Sequence, residues 1–391
     1  MGYSTLPMVQ VITSNRELAD AVARFTRAPY VAIDTEFMRD TTYWPKLCLL
    51  QAAVPGFAVV IDPLAEGLDL QPLYALLRNG DVVKVFHAAR QDVEIFFHQA
   101  GIVPEPLFDT QVAAMVCGFG DSAAYETLVR ELAHAQVDKS SRFTDWSRRP
   151  LSDKQLSYAL SDVTHLCRVY EALKRQLDKS GRSHWLEEEL EILRSPETYE
   201  LKPTEAWRRL KMRGGNRRFT AVLIEIAAWR ERLAQERDVP RSRVMKDEAL
   251  FEIAAQTPQA QQELEALRGI PRGFAGSRAA QGLIEAVKAG LGLPASAVPD
   301  IDRGPPPAIP PVLGDMLRVL LKIQCEAHGV AQKLIASSAD LDQIAADDKA
   351  DVPALQGWRR DIFGNAALEL KHGRIALSIR DRKPVVVAVE T

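Results

Sequence analysis

Residues 30–40 read YVAIDTEFMRD. Tyr30-Val31-Ala32-Ile33 is an apolar, β-favouring run, the pattern of a buried strand. Asp34 and Glu36 stand at its end, although carboxylates are almost never buried without a partner. In a strand, residues i and i+2 project from one face about 6.6 to 6.8 Å apart. Asp34 and Glu36 therefore point together and repel, with Thr35 turned away. So apolar a strand is not a solvated edge, and the pair favours a cation.

The strand lies in a block, up to about Leu193, where strand-like and helix-like stretches alternate. YVAIDTEF, LCLLQAAV and FAVVIDPL follow one another with short turns, and DVVKVFHA comes later. NRELADAVARF precedes them with helical spacing; RQDVEIFFHQAG, TQVAAMVCGF, AYETLVRELAHAQ and a long run ending in LKRQL follow. Strands first and helices later predict an α/β domain. Two further acids join the first pair. Asp92 falls in the first turn of a helix after a strand, where an Asp also caps orphan N–H groups. Tyr158 and Asp162, in YALSDV, are spaced i, i+4 and share one helix face, roughly 6 Å apart along the axis.

This set resembles the DEDD exonuclease superfamily, which has a ribonuclease H-like sheet. Its motifs are D-x-E on the first strand, an Asp after a later strand, and Y-x-x-x-D near the end. Position 157, where the alternative H-x-x-x-x-D form would place its His, is Ser157, so Tyr158 marks the DEDD-y form. VAIDTEFMRDTTYWPKLCLLQAA, FHAARQDVEIF, LFDTQVAA and VDKSSRFTDWSRRPLSDKQLSYALSDV narrow the resemblance to the ribonuclease D family. The later helical blocks resemble its HRDC domains. The resemblance implies an α/β ribonuclease H-like exonuclease domain followed by two all-α HRDC-type helical domains. Expected boundaries are 1–195 for the exonuclease, 203–290 for the first HRDC domain, 291–311 for a Pro-rich linker and 312–380 for the second.

The resemblance also implies a catalytic set of Asp34, Glu36, Asp92, Tyr158 and Asp162, the four carboxylates holding two divalent ions. Hard oxygen ligands suit Mg²⁺ or Mn²⁺ rather than Zn²⁺. By resemblance Asp34 bridges both ions, Glu36 and Asp162 hold the one that activates water, and Asp92 acts on the other, largely through water. Tyr158 orients the attacking water. An ordinary Tyr titrates near 10, which favours positioning over full base action. The implied activity is 3′→5′ exoribonuclease trimming of RNA 3′ ends, tRNA precursors among them, releasing nucleoside 5′-monophosphates.

Other residues are candidates for touching RNA. Phe37 is placed to wedge against the last base, and His87 and Gln91 flank the second motif; core packing or a satisfied strand end are the plain alternatives. Asp109, beside an apolar run, is assigned to capping the helix that starts at Thr110. In DKSSRFTDWSRRP (138–150), Lys139, Arg142, Arg148 and Arg149 surround Phe143 and Trp146, a mixture suited to single-stranded nucleic acid, with a solvated loop around a buried Trp as the plain alternative. WRRLKMRGGNRRF (207–219) carries six cations, including Arg208 and Arg217, and no acid; phosphate contact is the reading weighed there against a solvated face.

Charge is split accordingly. The 391-residue chain has a formal charge of −3, yet Lys202 to Lys246 holds 13 Lys/Arg against 5 Asp/Glu, leaving −11 elsewhere. That suits an acidic part holding metal and a basic part holding phosphate. At 47% hydrophobic and 26% charged the composition is globular, and the length suggests two or three domains. No run approaches the roughly 20 apolar residues of a membrane span. The N-terminus lacks the pattern of a signal peptide. The scattered Cys48, Cys117, Cys167 and Cys325 include no C-x-x-C pair, so a reduced, cytoplasmic protein with no membrane and no obligate protein partner is expected. Residues 293–312 contain seven prolines and read as a stiff linker. At an offset of 91, Val239, Val244, Leu250 and the IAA at 253–255 fall on Val330, Ile335, Leu341 and the IAA at 344–346, which suggests a repeat. Two other functions stay open: a single-strand DNA 3′→5′ exonuclease of the same superfamily, since only the 2′-hydroxyl separates the sugars, and a non-catalytic RNA-binding protein.

Overall fold

Residues 30–38 form a strand in the interior of a six-stranded sheet. A computed structural model describes residues 10–138, 141, 144–212, 214–299 and 311–389. By contacts it divides into two units: residues 1–36, 47–198 and 305–391, and residues 37–46 with 199–304.

In the first unit the elements run β1 (Val11–Ile12), α1 (Asn15–Phe25), β2 (Tyr30–Met38), β3 (Lys46–Val54), β4 (Phe57–Ile61), α2 (Gln71–Arg78), β5 (Val83–Phe86), α3 (Arg90–Ala100) and β6 (Leu107–Asp109). Then come α4 (Thr110–Val116), α5 (Tyr125–Leu128), α6 (Asp153–Ser180) and α7 (Ser183–Arg194). The sheet order is β1-β4-β3-β2-β5-β6. β3 and β4 form an antiparallel hairpin, while β2, β5 and β6 run parallel. Flanked on both edges, β2 is apolar through Ile33 because both its faces are covered. The parallel register brings the C-terminal ends of β2, β5 and β6 to one side, where ligands of open α/β sheets gather. α6 is set against the sheet by the Tyr30 hydroxyl, which donates to Glu171 at 2.8 Å, and by the Cys167 thiol on the Ala53 carbonyl at 3.6 Å.

The same unit holds the last helical block: α13 (Pro311–His328), α14 (Gln332–Ile335), α15 (Ser338–Ala346), α16 (Gly357–Arg359) and α17 (Asn365–Lys371). Arg182 donates to the His328 and Gly329 carbonyls, and the Ala331 amide to the Met115 carbonyl at 3.0 Å. Trp185 stacks on Trp358 with centroids 4.2 Å apart. Gly118, at φ +84°, has no room for a side chain: a Cβ there would lie 2.7 Å from the Gly329 carbonyl oxygen. The block ends in an antiparallel hairpin, β7 (Ile375–Arg380) with β8 (Lys383–Ala388). The alternation in IALSIR and the Val385–Val387 run signal it, but the helical reading passed over them.

The second unit is built on α8 (Arg217–Arg237), α9 (Arg241–Val244), α10 (Asp247–Gln256), α11 (Gln261–Glu265) and α12 (Arg278–Gly292). The expected repeat is visible in element boundaries. α8 and α13 end at 237 and 328, α9 and α14 start at 241 and 332, and α10 and α15 start at 247 and 338, each pair 91 apart. Val244, Leu250 and Ile253 are buried, as are Ile335, Leu341 and Ile344.

Residues 37–46, the connection from β2 to β3, belong to this second unit and are tied into it. Asp238 accepts from the Tyr43 and Trp44 amides, both at 2.9 Å. The Tyr43 hydroxyl donates to Glu231, whose carboxylate receives the Arg241 fork at 2.6 Å from both Nε and Nη2. Burial pushes the Glu231 carboxyl up, but Arg241, Tyr43 and Arg209 outweigh it and hold it below its usual range. A depressed carboxylate stabilises the fold above its unfolded pKa and loses that contribution as pH falls through the folded value. Glu231→Gln is therefore expected to cost the second unit about 3 kcal/mol at pH 7, since it strands Arg241. In urea unfolding, the gap between intact and variant protein should close below about pH 4.

Candidate active site

The site is assembled by the ends of parallel strands and one face of a long helix. Ligand atoms of Asp34, Glu36 and Asp162 all lie within 4.8 Å of one another. Asp34 and Glu36 share a face of β2, as the two-residue spacing predicts. Thr35 is buried on the other face and its hydroxyl donates to the Asp92 carboxylate. Asp92, in the first turn of α3, is buried and held by Thr35, outside the group of three. It is near enough to Asp34 for the Asp34 charge to raise it.

α6 supplies the third carboxylate. Its start is set by a capping box in which Ser152 and Gln155 satisfy each other's orphan groups. One and two turns on, Tyr158 and Asp162 face the sheet. Burial pushes the Asp34 carboxyl up to about 7, and burial plus the charge of Asp34 pushes Asp162 up to about 8, against a hydrogen bond from Tyr158. Asp92 is raised by burial first and by Asp34 second. The Tyr158 phenol is raised by burial and then by Asp162, Glu36 and Asp34, so it stays a proton donor at neutral pH. The Tyr125 hydroxyl, which the sequence did not flag, donates to the Asp162 backbone carbonyl.

This arrangement fits a divalent cation. Asp162 Oδ1 is buried with no hydrogen-bond partner, and buried carboxylate oxygens are costly to leave so. Three like charges at this spacing are disfavoured by burial and mutual repulsion together. An all-carboxylate donor set at one point suits a hard cation.

The remaining candidates divide. His87 Nδ1 hydrogen-bonds Thr110 Oγ1 at 3.0 Å, its ring lies 5.1 Å from that of Tyr125, and burial pushes it down to about 4, so it is neutral. Gln91 is exposed and Phe37 half-buried. Asp109 caps α4 as assigned, accepting from Gln111 at 2.7 Å, and also takes the Ala88 and Ala89 amides ahead of α3. Lys139, Arg142 and Phe143 lie outside the described residues. Arg149 and Trp146, grouped with them in sequence, are consumed by the fold: Trp146 is buried, and the Arg149 guanidinium pairs with Asp62. In the second unit Arg208 pairs with Glu205 and lies over the Trp207 ring, while Arg217 is exposed at the start of α8.

Comparisons with known proteins agree with this chemistry. Residues 9–178 match the family described as 3′-5′ exonuclease, and residues 219–287 match the HRDC domain. The chain is 51% identical over 382 residues to ribonuclease D of Nitrobacter hamburgensis, covering 98% of this chain and 100% of the relative. Ribonuclease D of Jannaschia sp. is 52% identical over 387 residues, with coverage of 98% and 100%. The crystal structure of Escherichia coli RNase D, described as an exoribonuclease involved in structured RNA processing, superposes with a TM-score of 0.78 at 29% identity. That match covers 94% of this chain and 99% of the other. The chain belongs to the ribonuclease D family and is a ribonuclease D-like 3′→5′ exoribonuclease.

Proposed function

We propose that this exoribonuclease shortens RNA 3′ ends by two-metal-ion hydrolysis, releases nucleoside 5′-monophosphates, and has tRNA precursors among its substrates. The observation that carries the reading is the meeting of Asp34, Glu36 and Asp162 within 4.8 Å, with one Asp162 oxygen buried and unpartnered. Asp34, Glu36 and Asp162, with Asp92 beside them, would hold a pair of Mg²⁺ or Mn²⁺ ions. When bound, such ions polarise the scissile phosphate and lower the pKa of water.

The chain's own groups then divide the work. Asp34, which shares a face of β2 with Glu36 and lies within 4.8 Å of it and of Asp162, would serve both ions, as the resemblance implies. Glu36 and Asp162 would hold the ion that activates water, and Asp92, steadied by Thr35, would serve the other, largely through water. Tyr158, kept protonated, orients the attacking water by a hydrogen bond and leaves proton removal to the carboxylates. Phe37, His87 and Gln91 would meet the terminal nucleotides, and Lys139, Arg142, Arg208 and Arg217 would meet phosphates. Phosphate contacts carry no sequence information, so these cations would add affinity across RNAs. The expected domain boundaries, 1–195, 203–290, 291–311 and 312–380, belong to this proposal. So does a cytoplasmic location; among the described residues, no helix is long and apolar enough to cross a membrane.

The test is digestion of a 5′-labelled, 3′-extended tRNA and a matched DNA strand with Mg²⁺, Mn²⁺ or EDTA. Stepwise shortening of RNA should require metal and vanish in Asp34→Asn. Tyr158→Phe should slow it about 100-fold while leaving RNA affinity intact. Equal digestion of DNA would move the reading to a general single-strand exonuclease, and digestion that persists in EDTA would remove the metal mechanism. Separately, Arg217→Ala should weaken binding of all RNAs alike and lower the slope of log affinity against log salt by about one. An unchanged slope would return Arg217 to a solvated face.

A further inference from the structure

We propose that Arg149 is a positioning residue for the active site, acting through Trp146 and the start of α6 on Tyr158. The proposal rests on the role given above to Tyr158 and the carboxylates.

A guanidinium has five N–H donors, and at Arg149 five hydrogen bonds to protein acceptors use them. Nε donates to Asp62 Oδ2 at 2.7 Å and Nη2 to Asp62 Oδ1 at 2.7 Å, a bidentate fork. Nη2 also donates to the Cys48 carbonyl on β3 at 2.6 Å. Nη1 donates to the Trp146 and Arg148 carbonyls at 2.7 and 2.8 Å. Nothing remains for a phosphate, although the surrounding sequence reads as a nucleic-acid contact. The geometry instead stitches three pieces of chain together: the middle of the sheet at Cys48, the residue after β4 at Asp62, and the loop leading into α6. Asp62 is fixed in turn by the Leu64 amide on its Oδ1 at 2.9 Å.

The loop carries the constraint to the chemistry. Trp146 is 2% exposed, and its ring centroid lies 6.0 Å from that of Tyr158 at an interplanar angle of 33°. Gln155 Nε2 donates to Thr144 Oγ1 at 3.2 Å, joining the same loop to the first turn of α6. With the loop pinned, the Trp146 ring walls one side of Tyr158 and sets where its phenol sits relative to Asp162. Lys at position 149 would keep the charge but lose the planar fork, so it would not substitute.

The experiment is single-turnover digestion of a 3′-extended RNA by the full chain, comparing intact protein with Arg149→Lys, Asp62→Asn and Arg149→Ala. The cleavage rate should fall about 10- to 100-fold, the scale of a misplaced reacting group, while the RNA concentration giving half-saturation moves less than about twofold. Millimolar guanidinium should restore part of the rate to Arg149→Ala and none to Asp62→Asn. Should Arg149→Ala not fold, Arg149→Lys and Trp146→Phe carry the rate comparison. A rise in half-saturation with a shallower salt dependence would make Arg149 a phosphate contact, and this result would overturn the proposal. Undiminished cleavage in variants that melt at lower temperature would also overturn it, reducing the clamp to support of the fold. If intact protein itself shows no metal-dependent digestion, the proposed function fails instead; digestion by intact protein and variants alike defeats the clamp alone.

Discussion

Burying carboxylates together at the end of a β-strand is the constraint around which the first unit is organised. Burial is the largest cause raising Asp34 to about 7 and Asp162 to about 8, and the charge of Asp34 adds to it at Asp162. Such a cluster is tolerable only where the surrounding backbone is already satisfied and the carboxylates converge on a counter-charge. The parallel ladder of β2, β5 and β6 meets the first requirement. It uses up the main-chain donors and acceptors, so the side chains at the strand ends are the groups left to face a ligand. The second requirement is met by position: one strand and one helix deliver three carboxylates to a single point.

Keeping those positions takes hydrogen bonds far from the reacting atoms. Asp109 takes four backbone amides, at the entry to α3 and the start of α4, and so fixes where Asp92 begins its turn. Arg149 and Asp62 do the same for the loop ahead of α6. Within the second unit, Glu231 and Asp238 hold Tyr43 in the same manner. Each of these carboxylates is paired or fully hydrogen-bonded, whereas Asp162 keeps a free buried oxygen. That contrast separates carboxylates that support the fold from those that await a ligand.

Part of this was legible in one dimension. The alternation around Asp34 and Glu36 and the four-residue step from Tyr158 to Asp162 follow from the fixed backbone periods of strand and helix, and the 91-residue repeat from like residues recurring at one offset. Of the seven prolines of residues 293–312, the last, Pro311, opens α13, where the first turn of a helix tolerates it, and residues 300–310 lie outside the described residues. In residues 138–150, where substrate contact is weighed against a loop with a buried Trp, Trp146 is buried and Arg149 is paired with Asp62; composition counts cations without counting their acceptors. The hairpin of β7 and β8 has no glycine at its turn, Asp381-Arg382, and so lacks the strongest local sequence signal for one.

The sequence by itself determined which residues share a face and what chemistry they bring, since both depend on local geometry and side-chain type. Tertiary structure alone decided which partners those residues keep. Thr35 and Asp92 are 57 residues apart, Arg149 and Asp62 are 87 apart, and Tyr43 and Glu231 are 188 apart. No local period records such pairs. They exist because closing the sheet and seating the helices brings distant polar groups into places without water, where each must find a partner or be left for a ligand.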